Sequence, residues 1–251
     1  MVIAVLNQKG GVGKTTTVIN LASFLAKSGK RVVVVDADPQ GNATSGLGID
    51  KDSIPLTVFD GLLRKKTAQD ILTITAHERL SLMPANSNLA GAEVELATTH
   101  GREYALKNLL DGVIADYILI DCPPSLGLLT INALCAADTV LIPVQTEYYA
   151  LEGISQLLQV VQKIQQAANP RLSILGVVMT MVDPRTSLSK QVQEELAKHF
   201  GELLFKNSIP RNIRLAEAPS YGLPISEYDK WSKGARSYKA FAKELSLRAG
   251  I

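Results

Sequence analysis

The chain has 251 residues, 46% of them hydrophobic and 20% charged, the make-up of an ordinary folded protein, which excludes wholesale disorder. A net charge of +2 does not by itself mark a nucleic-acid binder, but residues 206–248 carry nine Lys/Arg against four Asp/Glu, a local +5 that leaves −3 elsewhere. Two cysteines without paired spacing, Cys122 and Cys135, argue against a secreted disulfide scaffold, and no run approaches the roughly 18 apolar residues of a membrane span. The expectation is a cytoplasmic protein folded as one domain over residues 1–251, with any polyanion-binding surface drawn from its C-terminal third.

In chain order, residues 2–6 form a first strand, too short for a signal-peptide core. A glycine-rich loop follows. Val18, Leu21, Ala22 and Leu25 then keep the i, i+3, i+4, i+7 spacing of a helix that Gly29 would stop. Residues 31–36 read as a second strand, and 50–69 as the least regular stretch, an excursion from the sheet. Further strands are expected at 80–84, 117–121, 139–143 and 172–180, with a helical stripe of Leu151, Ile154, Leu157, Leu158, Val161 and Ile164 between the last two. The runs at 32–35 and 117–120 are apolar without alternation, as in strands covered on both faces of a parallel sheet. The pattern predicts an α/β fold, a doubly wound, mostly parallel sheet with helices on both faces.

The loop after the first strand reads Asn7-Gln8-Lys9-Gly10-Gly11-Val12-Gly13-Lys14-Thr15-Thr16. A strand, a glycine-rich turn and a helix N-terminus make an anion site, because backbone N–H groups and the helix dipole both favour negative charge there. Lys14 would sit between the β- and γ-phosphates of a nucleotide, and the Thr15 hydroxyl would ligate Mg²⁺. Two carboxylate-bearing segments end neighbouring strands, Asp36-Ala37-Asp38-Pro39 and Asp121-Cys122-Pro123-Pro124. Ligands of open parallel sheets bind beyond the carboxyl ends of the strands, so both segments can face the loop. Asp121 would hold Mg²⁺ through water, Asp38 would orient the attacking water, and Asp36 would lie nearer the metal's outer surroundings.

The common phosphate-loop pattern has Gly where Gln8 stands, and here the extra lysine Lys9 follows. Lys-Gly-Gly-x-Gly-Lys-Thr-Thr resembles the deviant Walker A motif of the ParA/MinD superfamily of P-loop NTPases. Residues 38–48, 121–134, 145–153 and 209–220 resemble the switch segments of ParA/Soj partition ATPases. The resemblance implies an ATP-dependent homodimer in which Lys9 reaches the partner's phosphates. It further implies nucleotide binding by residues 9–16, with Pro210 near the adenine, and nonspecific binding of double-stranded DNA by Arg185 and Arg214. Arg211, Lys230, Lys233 and Arg236 add charge nearby. A ParB-like protein would stimulate hydrolysis, and the protein would sit on the nucleoid. Asp183 occupies the place of a guanine-reading aspartate, but Met181 replaces the lysine that orders such a loop, which favours ATP over GTP.

Two relatives of that superfamily offer competing readings. A MinD-like membrane switch would use the apolar stripe Ala235, Tyr238, Phe241, Ala242 and Leu245. At this spacing such a stripe more often packs on its own domain, so no stable membrane association is expected. An iron–sulfur reductase would need two cluster cysteines, and neither Cys122 nor Cys135 has glycine-rich surroundings.

Overall fold

Short β-branched runs separated by helical segments build one seven-stranded sheet in the computed structural model, which describes residues 1–147 and 150–250. The strands are β1 (Val2–Val5), β2 (Val32–Asp36), β3 (Thr73–Ile74), β4 (Leu80–Met83), β5 (Tyr117–Asp121), β6 (Thr139–Gln145) and β7 (Ser173–Thr180). Their spatial order is β3-β4-β2-β5-β1-β6-β7, and all neighbours are parallel except β3 and β4. The predicted strands lie where expected within one or two residues. The antiparallel β3 has no counterpart in the sequence reading, because two residues carry no measurable period.

Twelve helices appear among the described residues. The first six are α1 (Lys14–Lys27), α2 (Asn42–Gly46), α3 (Val58–Leu62), α4 (Ala68–Ile71), α5 (Ala92–Glu95) and α6 (Ala105–Leu110). The rest are α7 (Leu128–Ala136), α8 (Ala150–Ala167), α9 (Ser187–Phe200), α10 (Ile213–Glu217), α11 (Ile225–Tyr228) and α12 (Lys233–Ala249). Helix α1 stops as predicted, with Gly29 in the left-handed region at φ 93°. Stretch 50–69 holds α3, closed by a reciprocal Thr57–Asp60 capping box, and its Val58 and Leu62 reach the core. Tyr148 and Tyr149, and the Leu151 side chain of the predicted stripe, lie outside the described residues.

The two-residue period of each strand splits the core in two. Val33, Val35, Ile118 and Ile120 face the layer that holds Leu106, Leu157 and Val161. Val32, Val34, Tyr117 and Leu119 face α1 and α12. Every member of the C-terminal stripe is buried on this second side, where the Tyr238 hydroxyl meets Thr17 Oγ1 at 3.1 Å and Phe241 packs edge-on against Phe205. The apolar face of α12 is therefore taken up by the fold, and no helix among the described residues is long and apolar enough to cross a membrane.

Candidate active site

Central β1 has β5 on one side and β6 on the other, so its carboxyl end lies at the point where ligands of doubly wound sheets bind. There the chain turns into α1 through Gly13, which adopts φ 87° and offers no side-chain cap. No side chain thus competes with an anion for the N–H groups of the first helical turn. A Cβ placed on Gly10 or Gly11 would meet no atom within 4 Å, so the loop leaves open space over its backbone. The loop is held from below. Asn7 accepts from the Lys9 N–H at 3.0 Å and donates to the Pro143 carbonyl at 2.8 Å, while the Thr180 hydroxyl donates to the Val12 carbonyl at 2.8 Å.

Lys14 is buried, and its Nζ donates to the Lys9 carbonyl at 3.1 Å. Burial pulls its pKa below the usual lysine range, against the opposing charge of Asp121. Lys9 is half-exposed and ion-paired to Glu147 Oε2, while Gln145 Nε2 donates to Glu147 Oε1 at 2.6 Å. Glu147 thus joins the site, although the sequence reading assigned it no role.

The parallel register sets Asp36 directly beside Asp121. Asp121 is wholly buried, and neither carboxylate oxygen makes a hydrogen bond of ordinary geometry, although the Thr15 hydroxyl lies close enough to favour its charged form. Burial, and after it the charge of Asp36, pushes its pKa well above the usual carboxylate range. A buried carboxylate with so few partners, beside the Thr15 hydroxyl, fits a site built to receive a cation or its water. Asp36 is different. Its Oδ2 accepts from the Thr44 N–H at 2.8 Å and the Thr44 hydroxyl at 2.7 Å, and burial pushes its pKa up to about 6. Asp36 therefore ties α2 to the sheet. Asp38 starts a turn closed by Gly41 N–H to the Asp38 carbonyl at 2.9 Å. Gly41 has φ 62°, and a Cβ there would lie 2.7 Å from the Ala85 carbonyl, so that position requires glycine.

Beside the loop, a cavity of about 360 Å³ is lined by Gly13, Thr16, Met181, Pro210, Asn212 and Leu215, among others. Hydrogen bonds from Ile209 N–H to the Met179 carbonyl (2.8 Å) and from Val182 N–H to the Ile209 carbonyl (3.0 Å) zip this wall onto the end of β7. Asn212, which the sequence reading passed over, has a buried Oδ1 with no partner. Asp183 does not line the cavity. Its carboxylate is gripped by Arg185 through Nε at 2.9 Å and Nη2 at 2.7 Å, which holds its pKa down to about 2.

The two arginines expected on DNA both have carboxylate partners. Arg185 holds Asp183, and Arg214 lies between Glu217 at 2.9 Å and Asp229 at 3.6 Å. Asp183 and Glu217 are sequence neighbours of the arginines they hold, and only Asp229 is brought to Arg214 from farther along the chain.

The parallel sheet and this loop define a P-loop nucleoside triphosphatase. A family model described as an AAA domain matches residues 1–174. The sporulation initiation inhibitor protein Soj of Bacillus subtilis is 56% identical over 247 residues, spanning 98% of each chain. The chromosome partitioning protein ParA of Myxococcus xanthus is 51% identical over 98% of this chain and 88% of its own. A crystal structure named cobyrinic acid a,c-diamide synthase, from Mycobacterium smegmatis with a bound ATP analogue and magnesium, is 42% identical with a TM-score of 0.86, covering 100% of this chain and 96% of that one. The chain belongs to the ParA/Soj family of chromosome-partitioning ATPases.

Proposed function

We propose that the chain binds and hydrolyses ATP with Mg²⁺ as the timing step of a DNA-partition cycle. ATP binding drives a homodimer, the dimer holds nonspecific duplex DNA on the nucleoid, and a ParB-like protein stimulates hydrolysis and so releases it. The observation that carries the reading is Lys9, a half-exposed lysine at the mouth of an uncapped phosphate loop that already has its own buried lysine, Lys14. A second cation at that place can exchange its Glu147 partner for a phosphate outside its own loop, as an arginine finger does.

In this reading the N–H groups of residues 10–16 and the Lys14 ammonium bind the phosphates. On nucleotide binding Lys14 exchanges the Lys9 carbonyl for phosphate oxygens, and Lys9 exchanges Glu147 for the partner's phosphates. Thr15, with Asp38 and Asp121 through water, would hold magnesium, which screens phosphate charge when bound. Asp38 orients the attacking water. Positioning and charge neutralisation are the site's main resources, so unstimulated turnover is slow. The apolar cavity wall at Met181 and Pro210 suits an adenine, and the occupied Asp183 is not free to read guanine.

Diamide synthesis, named for the mycobacterial structure, finds less support. Cys122 and Cys135 are both buried, and burial raises both thiols, Cys135 to about 11, so neither is poised as a nucleophile that frees ammonia from an amide donor.

The test is retention on nonspecific duplex DNA with ATP, ADP or no nucleotide, at two salt concentrations. ATP-dependent, salt-sensitive retention is expected. Lys14→Ala should lose nucleotide binding, and Asp38→Ala should keep binding and dimerisation while hydrolysis stops. Equal retention in all three nucleotide states would refute the cycle.

A further inference from the structure

Arg31 and Arg79 stand immediately before β2 and β4, two neighbouring parallel strands. The Val32 N–H donates to the Arg79 carbonyl at 2.9 Å, so the two arginines enter the sheet side by side, at its amino end and away from the phosphate loop. Arg79 has φ 60°, a conformation that a residue with a side chain adopts only at a cost. Both arginines line a cavity of about 200 Å³. Its other walls include Leu72, Met83, Val113 and Ile114, and none of its described lining residues is an aspartate or glutamate.

We propose that this cavity binds a small organic oxyanion with an apolar body, its carboxylate or phosphate on the two guanidiniums and its hydrocarbon against Met83 and Val113. The site lies at the other end of the sheet from the nucleotide site and does not depend on the partition cycle.

Three observations support it. The first is the direction of the cavity. Arg79, Ser81 and Met83 follow one another at two-residue steps along β4 and all line it, so it runs inward from a half-exposed arginine to a wholly buried methionine. Charge at the mouth and hydrocarbon at depth suit the head and tail of an amphipathic anion. The second is the state of the two cations. Arg31 Nε lies 3.8 Å from Asp116 Oδ2, and Arg79 Nε lies 3.6 Å from Glu78 Oε1, both longer than an ordinary hydrogen bond. Asp116 Oδ2 already accepts from the Arg31 N–H at 2.6 Å. Like charges on adjacent strands repel, and an oxyanion held between two guanidinium forks removes that repulsion while matching their planar geometry. The third is size. The volume falls below the roughly 300–1,000 Å³ of sites for drug-sized ligands, which limits the body to a short chain or a single ring.

The test is methyl NMR of the full chain titrated with hexanoate and with hexyl phosphate, and with hexanol and acetate as controls. At least one of the two amphipathic anions should shift the methyl signals of Leu72, Met83, Val113 and Ile114 saturably, and the tighter of the two identifies the head group. Hexanol, which lacks the charge, and acetate, which lacks the body, should each bind about tenfold or more weakly. Arg31→Gln/Arg79→Gln should weaken the anion by about tenfold or more, while ATP affinity matches the parent, because neither arginine touches the phosphate loop. Should that variant fail to fold, Arg31→Lys/Arg79→Lys keeps both charges, loses both forks and should still weaken binding. Hexanol binding as tightly as hexanoate overturns the proposal, since the cavity would then be an apolar void. Anions that shift only residues 10–16 sit on the phosphate loop and overturn it too, as does unweakened binding by the double glutamine variant. None of these outcomes bears on DNA retention or ATP hydrolysis, so the partition cycle is judged separately.

Discussion

Lys9 pairs with Glu147, and an ammonium that leaves a carboxylate must gain another anion in exchange. In the proposed dimer, Glu147 would therefore compete with the partner's phosphates for Lys9. Half-exposed pairs of this kind contribute up to about 1 kcal/mol, so Glu147→Gln should tighten nucleotide-dependent self-association by up to about fivefold. Sedimentation with a non-hydrolysable ATP analogue measures this, and weaker association would show that Glu147 supports the dimer rather than opposing it. Lys9 is legible in the sequence because it departs from a short, familiar spacing. Glu147 is not, because it lies 138 positions away and only the folding of β6 beside β1 brings it near. Asn212 escaped for a similar reason: an asparagine two residues after Pro210 has no signature until its buried oxygen is found unpartnered.

At the next scale, β2 and β5 bring two carboxylates side by side. Both Asp36 and Asp121 have folded pKa values raised by burial, so the folded chain holds their protons over a range in which the unfolded chain has released them. For Asp36 that window runs from about 4 to about 6. Stability from this source is present below about pH 4 and is lost as pH rises through about 6. The loss is on the order of 3 kcal/mol for a shift of about two units. Asp121→Asn should therefore gain stability over the parent at pH 7 and gain less at pH 5, read from urea midpoints without nucleotide. A gap that does not change with pH would sink this account.

The pairing of α1 with α12 carries a second expectation. Phe241 is fully buried and packs against Phe205 with ring centres 4.9 Å apart, so Phe241→Ala should cost about 3–5 kcal/mol by urea unfolding. The strands were legible from runs such as 32–35, whose unbroken apolar character suits a sheet covered on both sides. The stripe on α12 was legible as an apolar face, but its partner was not. Nothing in the heptad-like spacing says whether lipid, a second chain or α1 covers it.

Across the whole molecule, two faces are set at different places on one sheet. The phosphate loop and its carboxylates lie beyond the carboxyl ends of the strands, and a groove lined by Lys27, Lys30, Lys230, Arg236, Lys239 and Lys243 lies along α1 and α12. A dimer formed through Lys9 would carry two copies of each DNA-contacting residue on one particle, doubling phosphate contacts and making DNA affinity steeply dependent on assembly. With a non-hydrolysable ATP analogue the chain should sediment as a dimer and Lys9→Ala as a monomer. A dimeric Lys9→Ala would assign the interface to other residues.

The amino-acid sequence alone determined the covered parallel strands, the phosphate loop, its spare lysine and the two strand-end aspartates, because each is written within a dozen neighbouring residues. It also placed the surplus positive charge in the C-terminal third. Tertiary structure alone decided which acids from distant parts of the chain reach those charges. Asp183 and Glu217 already sit two and three residues from Arg185 and Arg214, whereas Glu147 reaches Lys9 and Asp229 reaches Arg214 only in the folded chain. The reason is range: a backbone motif acts through local geometry, but a side-chain charge is cancelled or spared by whatever the fold sets within a few ångströms of it.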